Sequence, residues 1–556
     1  MYSVEEFLKD LNPSQREAVL YNDGPSLVIA GAGSGKTRVL TYKIAYLLQT
    51  GYAPYNILAL TFTNKAAREM KERISRIVGE DTASRLWMGT FHSVFLRILR
   101  TYADRIGFDS KFTIYDSADS KSLIKAIIKE KALDDKLYKP ATVQAIISNA
   151  KNALITPGAY AASKELIEAD IRSKKPLIKD IYAEYWNRCA RAGAMDFDDL
   201  LLYTNILFRD HPDVRDHYRN IFRFILVDEY QDTNFAQHLI VHQLAKDHNH
   251  ICVVGDDAQS IYSFRGANIS NILNLRTDYP GCRTFKLEQN YRSTKNILDA
   301  ANCVIKNNQS RKEKNLWSTK GDGEKVTYYR AYDQLDEAHQ VASFIKKIQK
   351  AGKPLNEVAI LYRTNAQSRV MEEELLKDNI PYHIVGGLSF YSRKEIKDLL
   401  AYLKLIYNEK DDVSFLRVIN TPKRGIGLKS IQALQTRADE NNSSLFEAID
   451  GGKEQAFKDM ILILKKEAEK VSLTELIDKV LDASSMKKEL ESEKTIEAEV
   501  RLENLKEFKS ITKAFEERLG LVSLEDFLYE VSLVNDKDEY SEAKDKVSLM
   551  TVHSVK

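Results

Sequence analysis

The segment A-G-A-G-S-G-K-T at residues 30–37 constrains the fold of this chain more than any other feature. It follows an apolar run at residues 26–30, which predicts a strand, and precedes an amphipathic pattern at residues 37–48, which predicts a helix. Glycines between a strand and a helix let backbone N–H groups turn toward phosphate oxygens, and the helix N-terminus adds partial positive charge. The segment therefore predicts a P-loop, although Ala30 stands where the usual motif begins with glycine.

Two side chains of this loop have specific roles in the prediction. The Lys36 ammonium would reach the β- and γ-phosphates of a bound nucleotide, and the Thr37 hydroxyl would ligate Mg²⁺. The residues that we expect to hold the nucleotide here are Ala30, Gly31, Ala32, Gly33, Ser34, Gly35, Lys36, Thr37 and Arg38.

Short apolar runs alternate with longer helical patterns along the chain. The first set predicts buried parallel strands at residues 26–30, 57–61, 224–227, 251–254 and 284–287. A second set predicts strands at residues 326–329, 358–361, 382–385 and 547–550. This alternation favours two doubly wound α/β domains. The stretches at residues 112–193 and 386–545 are helical without clear strands, and we interpret both as helical insertions.

An acidic pair supports the P-loop. Residues 224–227 form an apolar run that leads directly into Asp228 and Glu229. In a parallel sheet this arrangement puts two carboxylates at the carboxyl edge, beside the phosphate-binding turn. Asp228 would hold Mg²⁺, and Glu229 would orient or deprotonate the attacking water. A solvated acidic turn is the alternative interpretation.

Composition excludes several classes of protein. Lys and Arg number 82 against 80 Asp and Glu, which excludes a globally basic coat protein but leaves room for a local basic groove. The 4 cysteines form no C-x-x-C pair, so neither a zinc site nor a disulfide framework is indicated. There is no signal-peptide pattern and no apolar run long enough to span a membrane. We therefore expect a cytoplasmic protein.

At these residues the sequence resembles the UvrD/PcrA/Rep group of superfamily 1 DNA helicases, and the resemblance covers nearly the whole chain. Residues 11–19, L-N-P-S-Q-R-E-A-V, resemble the adenine-reading Q motif. Residues 61–67 and 89–93, T-F-T-N-K-A-A and G-T-F-H-S, resemble two DNA-contacting motifs. The later motifs of the group match, in order, residues 254–267, 289–293 and 361–369.

The resemblance implies an α/β fold with two RecA-like P-loop NTPase lobes, each carrying a mainly helical insertion. The first lobe would comprise residues 1–111 and 194–283, with its insertion at residues 112–193. The second lobe would comprise residues 284–385 and 546–556, with its insertion at residues 386–545. Residues 547–556 resemble the start of motif V, so we expect the second lobe to be incomplete and the chain to be C-terminally truncated.

The resemblance also implies a set of residues around ATP. Tyr291 would stack on adenine, and Gln15 would read the edge of the base. Arg292 would act as an arginine finger at the γ-phosphate, and Gln259 would sense that phosphate. The predicted catalytic residues are therefore Glu229, Lys36, Arg292 and Gln259.

Side chains that contact DNA are implied as well. Phe62, Tyr262 and Phe264 would stack on bases, which tolerates any sequence because every base has a π-face. The family more often has Trp at the position of Phe264, and core packing is the alternative role for these aromatic residues. The other implied DNA-binding residues are Thr90, His92, Arg265, Arg363, Asn365, Lys423, Arg424, Gly425 and Gly427.

Two strings that imitate functional motifs are interpreted as structural. Residues 336–339 spell D-E-A-H, but no apolar strand precedes them and the following pattern is helical. Residues 196–199, D-F-D-D, predict an acidic helix start rather than a metal site.

The sequence therefore predicts an ATP-dependent 3′–5′ DNA helicase and translocase on single-stranded DNA, acting in DNA repair or replication. Its cofactors would be ATP and Mg²⁺, and its partners single-stranded DNA and junctions of single- and double-stranded DNA. Repair or replication proteins would bind through the region beyond residue 556, and no membrane partner is expected. Because only Arg292 of the two expected arginines is present, we expect these 556 residues to unwind DNA poorly.

Three alternatives stay open at this point. The chain could be a DNA- and ATP-binding fragment without motor activity, or the helicase portion of a helicase–nuclease. It could also be a P-loop ATPase or kinase that does no work on DNA.

Overall fold

The computed structural model describes residues 8–309, 311–385, 390–520, 523–533 and 545–555. The chain divides into two compact units. The first unit combines Met1–Gly321 with Glu395–Ser532, and the second combines Asp322–Lys394 with Leu533–Lys556.

Strands and helices are numbered here along the described residues. The strands are β1 (Ser26–Ala30), β2 (Ile57–Thr61), β3 (Trp87–Thr90), β4 (Thr113–Tyr115), β5 (Ala194–Asp196), β6 (Phe224–Val227), β7 (Ile251–Gly255), β8 (Arg283–Leu287), β9 (Ala359–Tyr362), β10 (Tyr382–Ile384) and β11 (Val547–Thr551). The helices up to the end of the first sheet are α1 (Pro13–Leu20), α2 (Lys36–Gln49), α3 (Asn64–Val78), α4 (Glu80–Ser84), α5 (Phe91–Thr101), α6 (Ser117–Glu130), α7 (Pro140–Asn152), α8 (Pro157–Ala162), α9 (Lys164–Arg172), α10 (Ile178–Arg191), α11 (Phe197–Asp210), α12 (Pro212–Ile221), α13 (Phe235–Ala245), α14 (Ser270–Leu273) and α15 (Leu275–Asp278). The later helices are α16 (Lys295–Ile305), α17 (Gln334–Lys350), α18 (Ser368–Lys377), α19 (Lys394–Tyr407), α20 (Asp412–Val418), α21 (Leu428–Asn441), α22 (Lys453–Ala468), α23 (Leu473–Ser484), α24 (Met486–Glu493), α25 (Ile496–Leu519) and α26 (Leu524–Leu533).

A parallel sheet with the order β3-β2-β6-β7-β1-β8 forms the centre of the first unit. Strand β7 lies between β1, which leads into the P-loop, and β6, which leads into the acidic pair. All three strands end at the same edge because they are parallel. In open α/β sheets this carboxyl edge is where ligands bind.

Alternate residues of the central strands face two separate hydrophobic layers. Leu27 and Ile29 of β1 pack with side chains of α5 and α11, whereas Val28 and Ala30 pack with α1, α2 and α3. A strand buried on both faces is apolar throughout, which is why these runs are visible in the sequence.

Most of the predicted strands are confirmed. Those at residues 26–30, 57–61 and 224–227 have the predicted bounds, and β7 and β8 are each one residue longer. Strand β3 was not predicted, because four residues that include a glycine give little periodicity. The predicted boundary at residue 284 assigns β8 to the second lobe. In the structure, β8 pairs with β1 along its whole length and therefore belongs to the sheet of the first unit.

The first helical insertion contains α6 to α10, packed around their own buried cluster. The prediction that residues 112–193 lack strands is wrong at one end, where β4 pairs in parallel with β5. A strand of three residues is too short to show alternation in the sequence. The second helical stretch contains α19 to α26.

The second unit contains a parallel sheet with the order β10-β11-β9 and the helices α17 and α18. Its strands lie within one residue of the predictions. The predicted strand at residues 326–329 is wrong, because these residues are not in a strand and Tyr328 is 85% exposed. The run V-T-Y-Y has strong strand propensity, but propensity is overridden where no neighbouring strand pairs with it. In the part of the chain that is described, no helix is both long and apolar enough to cross a membrane.

Candidate active site

The turn between β1 and α2 has the geometry of a P-loop. Gly33 and Gly35 have φ angles of 66° and 88°, a left-handed region that favours glycine. A Cβ atom on Gly35 would lie 2.7 Å from Gln15 Nε2, so a side chain has no room there. These glycines, followed directly by the first turn of α2, form the strand–turn–helix arrangement that binds phosphate in P-loops.

Lys36 is the first residue of α2, and its ammonium group pairs with Glu229. The Nζ atom lies 2.9 Å from Glu229 Oε1 and donates a hydrogen bond of 3.1 Å to Oε2. Burial opposes the charge on Lys36, but the carboxylates of Glu229 and Asp228 outweigh burial and raise the pKa of Lys36. The Lys36 side chain therefore stays protonated beside the glycine turn, where it can bind a phosphate.

Asp228 and Glu229 follow β6 directly, at the carboxyl edge of the sheet. Burial of Asp228, together with the neighbouring charge of Glu229, raises the pKa of Asp228 to about 7. Glu229 has a φ angle of 47°, which is uncommon for a residue other than glycine. This backbone turns the Glu229 side chain toward Lys36.

Asp228 and Thr37 have the chemistry expected of Mg²⁺ ligands, since Mg²⁺ prefers oxygen and is often held by one or two protein groups plus phosphate and water. Burial is the main cause of the raised pKa of Asp228, and a bound divalent cation would favour its charged form. Among the described residues, no three His, Cys, Asp or Glu side chains are grouped to hold a metal by themselves.

Gln15 joins the first helix to the P-loop. It is buried, and its Nε2 atom donates a 2.9 Å hydrogen bond to the carbonyl of Ser34. Its backbone N–H donates to Asn12 Oδ1 and its Oε1 accepts from the Asn12 N–H, which forms a capping box at the start of α1. Asn12 Nδ2 also donates to the Tyr291 hydroxyl at 2.8 Å.

The segment at residues 289–293 lies directly against the P-loop. Asn290 Nδ2 donates to the carbonyl of Ala32 at 2.5 Å, and the Tyr291 N–H donates to the carbonyl of Gly33 at 2.9 Å. Tyr291 is 41% exposed. Arg292 is exposed, and its backbone N–H donates to Asn290 Oδ1.

A hydrogen-bonded chain runs from Glu229 to Gln259. Gln231 Nε2 donates to Glu229 Oε2 at 2.6 Å, and Gln231 Oε1 accepts from the backbone N–H of Asp256 at 2.9 Å. Gln259 Nε2 donates to Asp256 Oδ2 at 2.7 Å. Lys314 Nζ lies 2.6 Å from Asp256 Oδ1, which fixes this carboxylate from the other side.

Aromatic side chains project from the loop that follows β7. Tyr262 is half-buried and Phe264 is 63% exposed, with ring centroids 6.1 Å apart. The Arg265 guanidinium lies 5.7 Å from the centroid of each ring. The cluster combines exposed π-faces with a positive charge, which is the combination that binds single-stranded nucleic acid.

The candidates near β2 and β3 are more enclosed. Phe62 is half-buried against Phe91, with ring centroids 5.7 Å apart. The Thr90 hydroxyl accepts from the Ser93 N–H and caps α5. Burial lowers the pKa of His92 to about 4, so His92 is neutral near pH 7. The hydrogen bond from Ser93 gives Thr90 a structural role as the cap of α5.

One residue of the second helical stretch that was predicted to contact DNA has its side chain bonded inside the protein. The Arg424 guanidinium donates to the carbonyls of Val418, Ile419, Pro422 and Ser484 and to the Tyr402 hydroxyl. Both terminal nitrogens of Arg424 are bound inside the protein, which gives this side chain a structural role. Its neighbours differ, because Lys423, Gly425 and Gly427 are exposed, and Gly427 precedes the first residue of α21.

Arg363 and Asn365 lie in the second unit, just after β9. Both are exposed, and the Arg363 N–H donates to Gln367 Oε1. Because both side chains are exposed, their guanidinium and amide groups are accessible to a ligand of that unit.

Sequence reasoning missed several residues that organise this site. Asn12, Gln231 and Asn290 lie inside motifs whose neighbours were assigned roles, so an amide side chain next to a functional residue was the available signal. Lys314 lies outside those motifs, and only the folded chain brings its ammonium to Asp256 and Asp257.

Comparison with known proteins identifies the class that this fold and site define. The UvrD/REP helicase N-terminal domain matches residues 11–280, and the UvrD-like helicase C-terminal domain matches residues 285–556. The chain therefore belongs to the UvrD/REP helicase family, with the RecA-like P-loop fold of that family.

Individual relatives extend this match over the whole chain. The ATP-dependent DNA helicase PcrA of Staphylococcus epidermidis is 50% identical over 567 residues, covering 100% of this chain and 77% of the relative. The ATP-dependent DNA helicase PcrA of Staphylococcus aureus is 49% identical with the same coverage.

Proposed function

We propose that this chain is a 3′–5′ translocase and helicase that moves along single-stranded DNA in DNA repair or replication, in the cytoplasm. As a member of the UvrD/REP helicase family it is an ATP-dependent DNA helicase. The direction of movement, the strand that is tracked and the cellular role form the proposal. The observation that carries it is the Lys36–Glu229 ion pair in the glycine turn, on the sheet edge that also presents Tyr262 and Phe264.

ATP hydrolysis follows from how the charges at this edge are arranged. Bound phosphates carry more negative charge than one carboxylate, so Lys36 would leave Glu229 for the β- and γ-phosphates. The Glu229 carboxylate would then accept a proton from the attacking water. Arg292 adds positive charge that stabilises the transition state.

Mg²⁺, when held by Thr37 and Asp228, supplies charge neutralisation at the phosphates. At the other end of the nucleotide, Gln15 and Tyr291 form a polar edge and an aromatic face for adenine. The exposure of Tyr291 is consistent with stacking on adenine, which requires an accessible ring.

DNA binding is proposed to use base faces and phosphates rather than base edges. Phe62, Tyr262 and Phe264 offer stacking surfaces, and Arg265 adds charge beside two of them. Lys423 and the exposed glycines after it suit duplex phosphates at a junction. We expect binding that is weakened by salt and nearly independent of sequence.

Hydrolysis and movement are proposed to be coupled through the loop after β7. Gln259 is hydrogen-bonded to Asp256, and Tyr262 follows three residues later along the same loop. If a γ-phosphate attracts the Gln259 side chain, the loop backbone that carries Tyr262 would therefore move with it.

The direction of movement is tested by ATP-driven translocation on oligonucleotides labelled at either the 5′ or the 3′ end. The proposal predicts that the protein accumulates at the 5′ label, and that the Lys36→Ala variant does not. Accumulation at the 3′ label would reverse the proposed direction. This assay does not need duplex separation, so the prediction of poor unwinding is measured separately by strand displacement on a 3′-tailed duplex.

A further inference from the structure

Gln231 is buried between the proposed catalytic base and the loop that holds the γ-phosphate sensor. It lies two residues after Glu229, and its side chain has no exposed surface. Both ends of its amide are engaged: Nε2 donates to Glu229 Oε2 at 2.6 Å, and Oε1 accepts from the Asp256 N–H at 2.9 Å. The Gln231 carbonyl also accepts from Ser260 Oγ at 3.2 Å.

The surroundings of this amide are shaped to hold it in place. Gly255 ends β7 beside it, and a Cβ atom at that position would collide with Gln231 Oε1. The bridge therefore spans two neighbouring strands, because Glu229 follows β6 and Asp256 follows β7. A buried amide with both ends bonded keeps one orientation, since breaking either bond leaves an unsatisfied polar group.

Lys36 and Gln231 hold the same Glu229 carboxylate in different ways. Lys36 is a cation that phosphate would attract away from Glu229 when ATP binds. Gln231 is neutral and enclosed, so phosphate does not compete for it. When Lys36 moves, the Gln231 bond remains and continues to orient the carboxylate.

We propose that Gln231 is a positioning residue for ATP hydrolysis, which orients Glu229 toward the attacking water and ties it to the Asp256–Gln259 loop. This inference rests on the proposed role of Glu229 as the base. The position of Glu229 then depends on Asp256, the first residue after β7. Asp256 is also bonded to Gln259, the proposed sensor of the γ-phosphate. Orientation of the base and sensing of the phosphate are thereby joined through one amide.

The expected signature is a loss of kcat with little change in KM. A misplacement of about 1 Å at a reacting group can cost about 10²-fold in rate, and we expect a loss of that order in Gln231→Met. Methionine keeps the length of the side chain but removes the hydrogen bonds to Glu229, to Asp232 and to the Asp256 N–H. KM for ATP and the affinity for single-stranded DNA should stay near the parent values, because Gln231 is not among the residues proposed to touch either ligand.

Two further variants separate positioning from a general packing role. Gln231→Glu keeps an acceptor for the Asp256 N–H but loses the donor to Glu229, so it should lose kcat as Gln231→Met does. Gln237→Met is the matched control, because Gln237 is also buried and bonded to backbone groups, at the start of α13 and away from Glu229. That control should keep the parent kcat.

The test is steady-state ATPase with saturating single-stranded DNA, together with a double-mutant cycle between Gln231→Met and Glu229→Gln. Residues that act through one another give non-additive losses, so Gln231→Met should cost little more on the Glu229→Gln background. A parent-like kcat in both Gln231→Met and Gln231→Glu, with Glu229→Gln inactive, would overturn the inference and leave the proposed function intact. Fully additive losses would also overturn it. Full turnover by Glu229→Gln would instead remove Glu229 as the base, and the inference with it.

Discussion

Lys36 and Lys151 are both buried lysines paired with carboxylates, yet their surroundings give them different roles. Lys36 pairs with Glu229 beside the glycine turn, and 12% of its side chain is exposed. Lys151 lies in α7 of the first insertion, and only 1% of its side chain is exposed. Its Nζ atom lies 2.7 Å from both Asp196 Oδ2 and Asp199 Oδ1.

The partners of Lys151 are themselves engaged in structure. Asp196 and Asp199 form a capping box at the start of α11, and the Tyr185 hydroxyl donates to Asp196. Lys36 instead begins α2 directly after the glycine turn. A lysine–carboxylate pair therefore indicates catalysis where it adjoins a phosphate-binding turn, and a structural role where its carboxylates cap a helix.

The largest expected effect separates the two lysines by activity. Lys36→Ala should lower ATP turnover by about 10²–10³-fold, because it removes a charge aimed at the transferring phosphate. Binding of single-stranded DNA should persist, since the proposed DNA contacts lie elsewhere. The check is ATPase rate alongside DNA affinity by fluorescence anisotropy, and near-parent turnover would show that this loop is not the site of hydrolysis.

Lys151→Met should reverse the pattern. Removing one partner of a buried ion pair leaves uncompensated charge and costs about 3–5 kcal/mol of stability. We expect a lower denaturation midpoint, with turnover per folded molecule unchanged. Urea denaturation monitored by tryptophan fluorescence measures this effect, and Lys36→Ala serves as the comparison because its midpoint should move less.

The same contrast between enclosed and open side chains applies to the aromatic residues. Phe264 is 63% exposed, whereas Phe91 is 1% exposed. Phe264→Ala should weaken binding of single-stranded DNA by about 1–3 kcal/mol, the scale of one stacking platform, without lowering stability. Phe91→Ala should instead lower stability. Unchanged DNA affinity in Phe264→Ala would remove this ring from the DNA path.

The smallest expected effect concerns the adjacent residues Lys423 and Arg424. Lys423→Ala should reduce the slope of log affinity against log salt for duplex DNA by about 1, because one phosphate contact is lost. Arg424→Ala should destabilise the helical stretch instead, since its guanidinium bonds to carbonyls inside it. A salt slope that responds to Arg424 and not to Lys423 would reverse these assignments.

The sequence was most informative where function depends on the backbone. The P-loop and the buried strands are local patterns, because glycine placement and two-sided burial leave direct marks on the chain. The D-F-D-D string is the acidic helix start that was predicted, with Asp196 as the N-cap. The ion pair of Lys151 with these carboxylates could not be predicted, because 45 residues separate Lys151 from Asp196 and only packing of α7 brings them together.

Side-chain direction was the part that sequence could not supply. A basic pair before a Gly-Ile-Gly turn predicts two phosphate contacts, yet Arg424 turns inward to Tyr402 and the nearby carbonyls. Residues 326–329 have strand propensity without a partner strand. The sequence contains no sign of the role of Gln231 beyond its place in the acidic motif. Its bond to the Asp256 N–H depends on β6 and β7 being neighbours in the sheet, which the folded chain alone shows.

The central claim is that ATP hydrolysis at the Lys36–Glu229 edge is coupled to single-stranded DNA. The most direct test is the steady-state ATPase rate of the parent chain with and without saturating single-stranded DNA, with Lys36→Ala measured in parallel. The account predicts a rate that rises severalfold with DNA in the parent and stays negligible in the variant. A parent rate that single-stranded DNA leaves unchanged, although anisotropy shows the DNA to be bound, would contradict it.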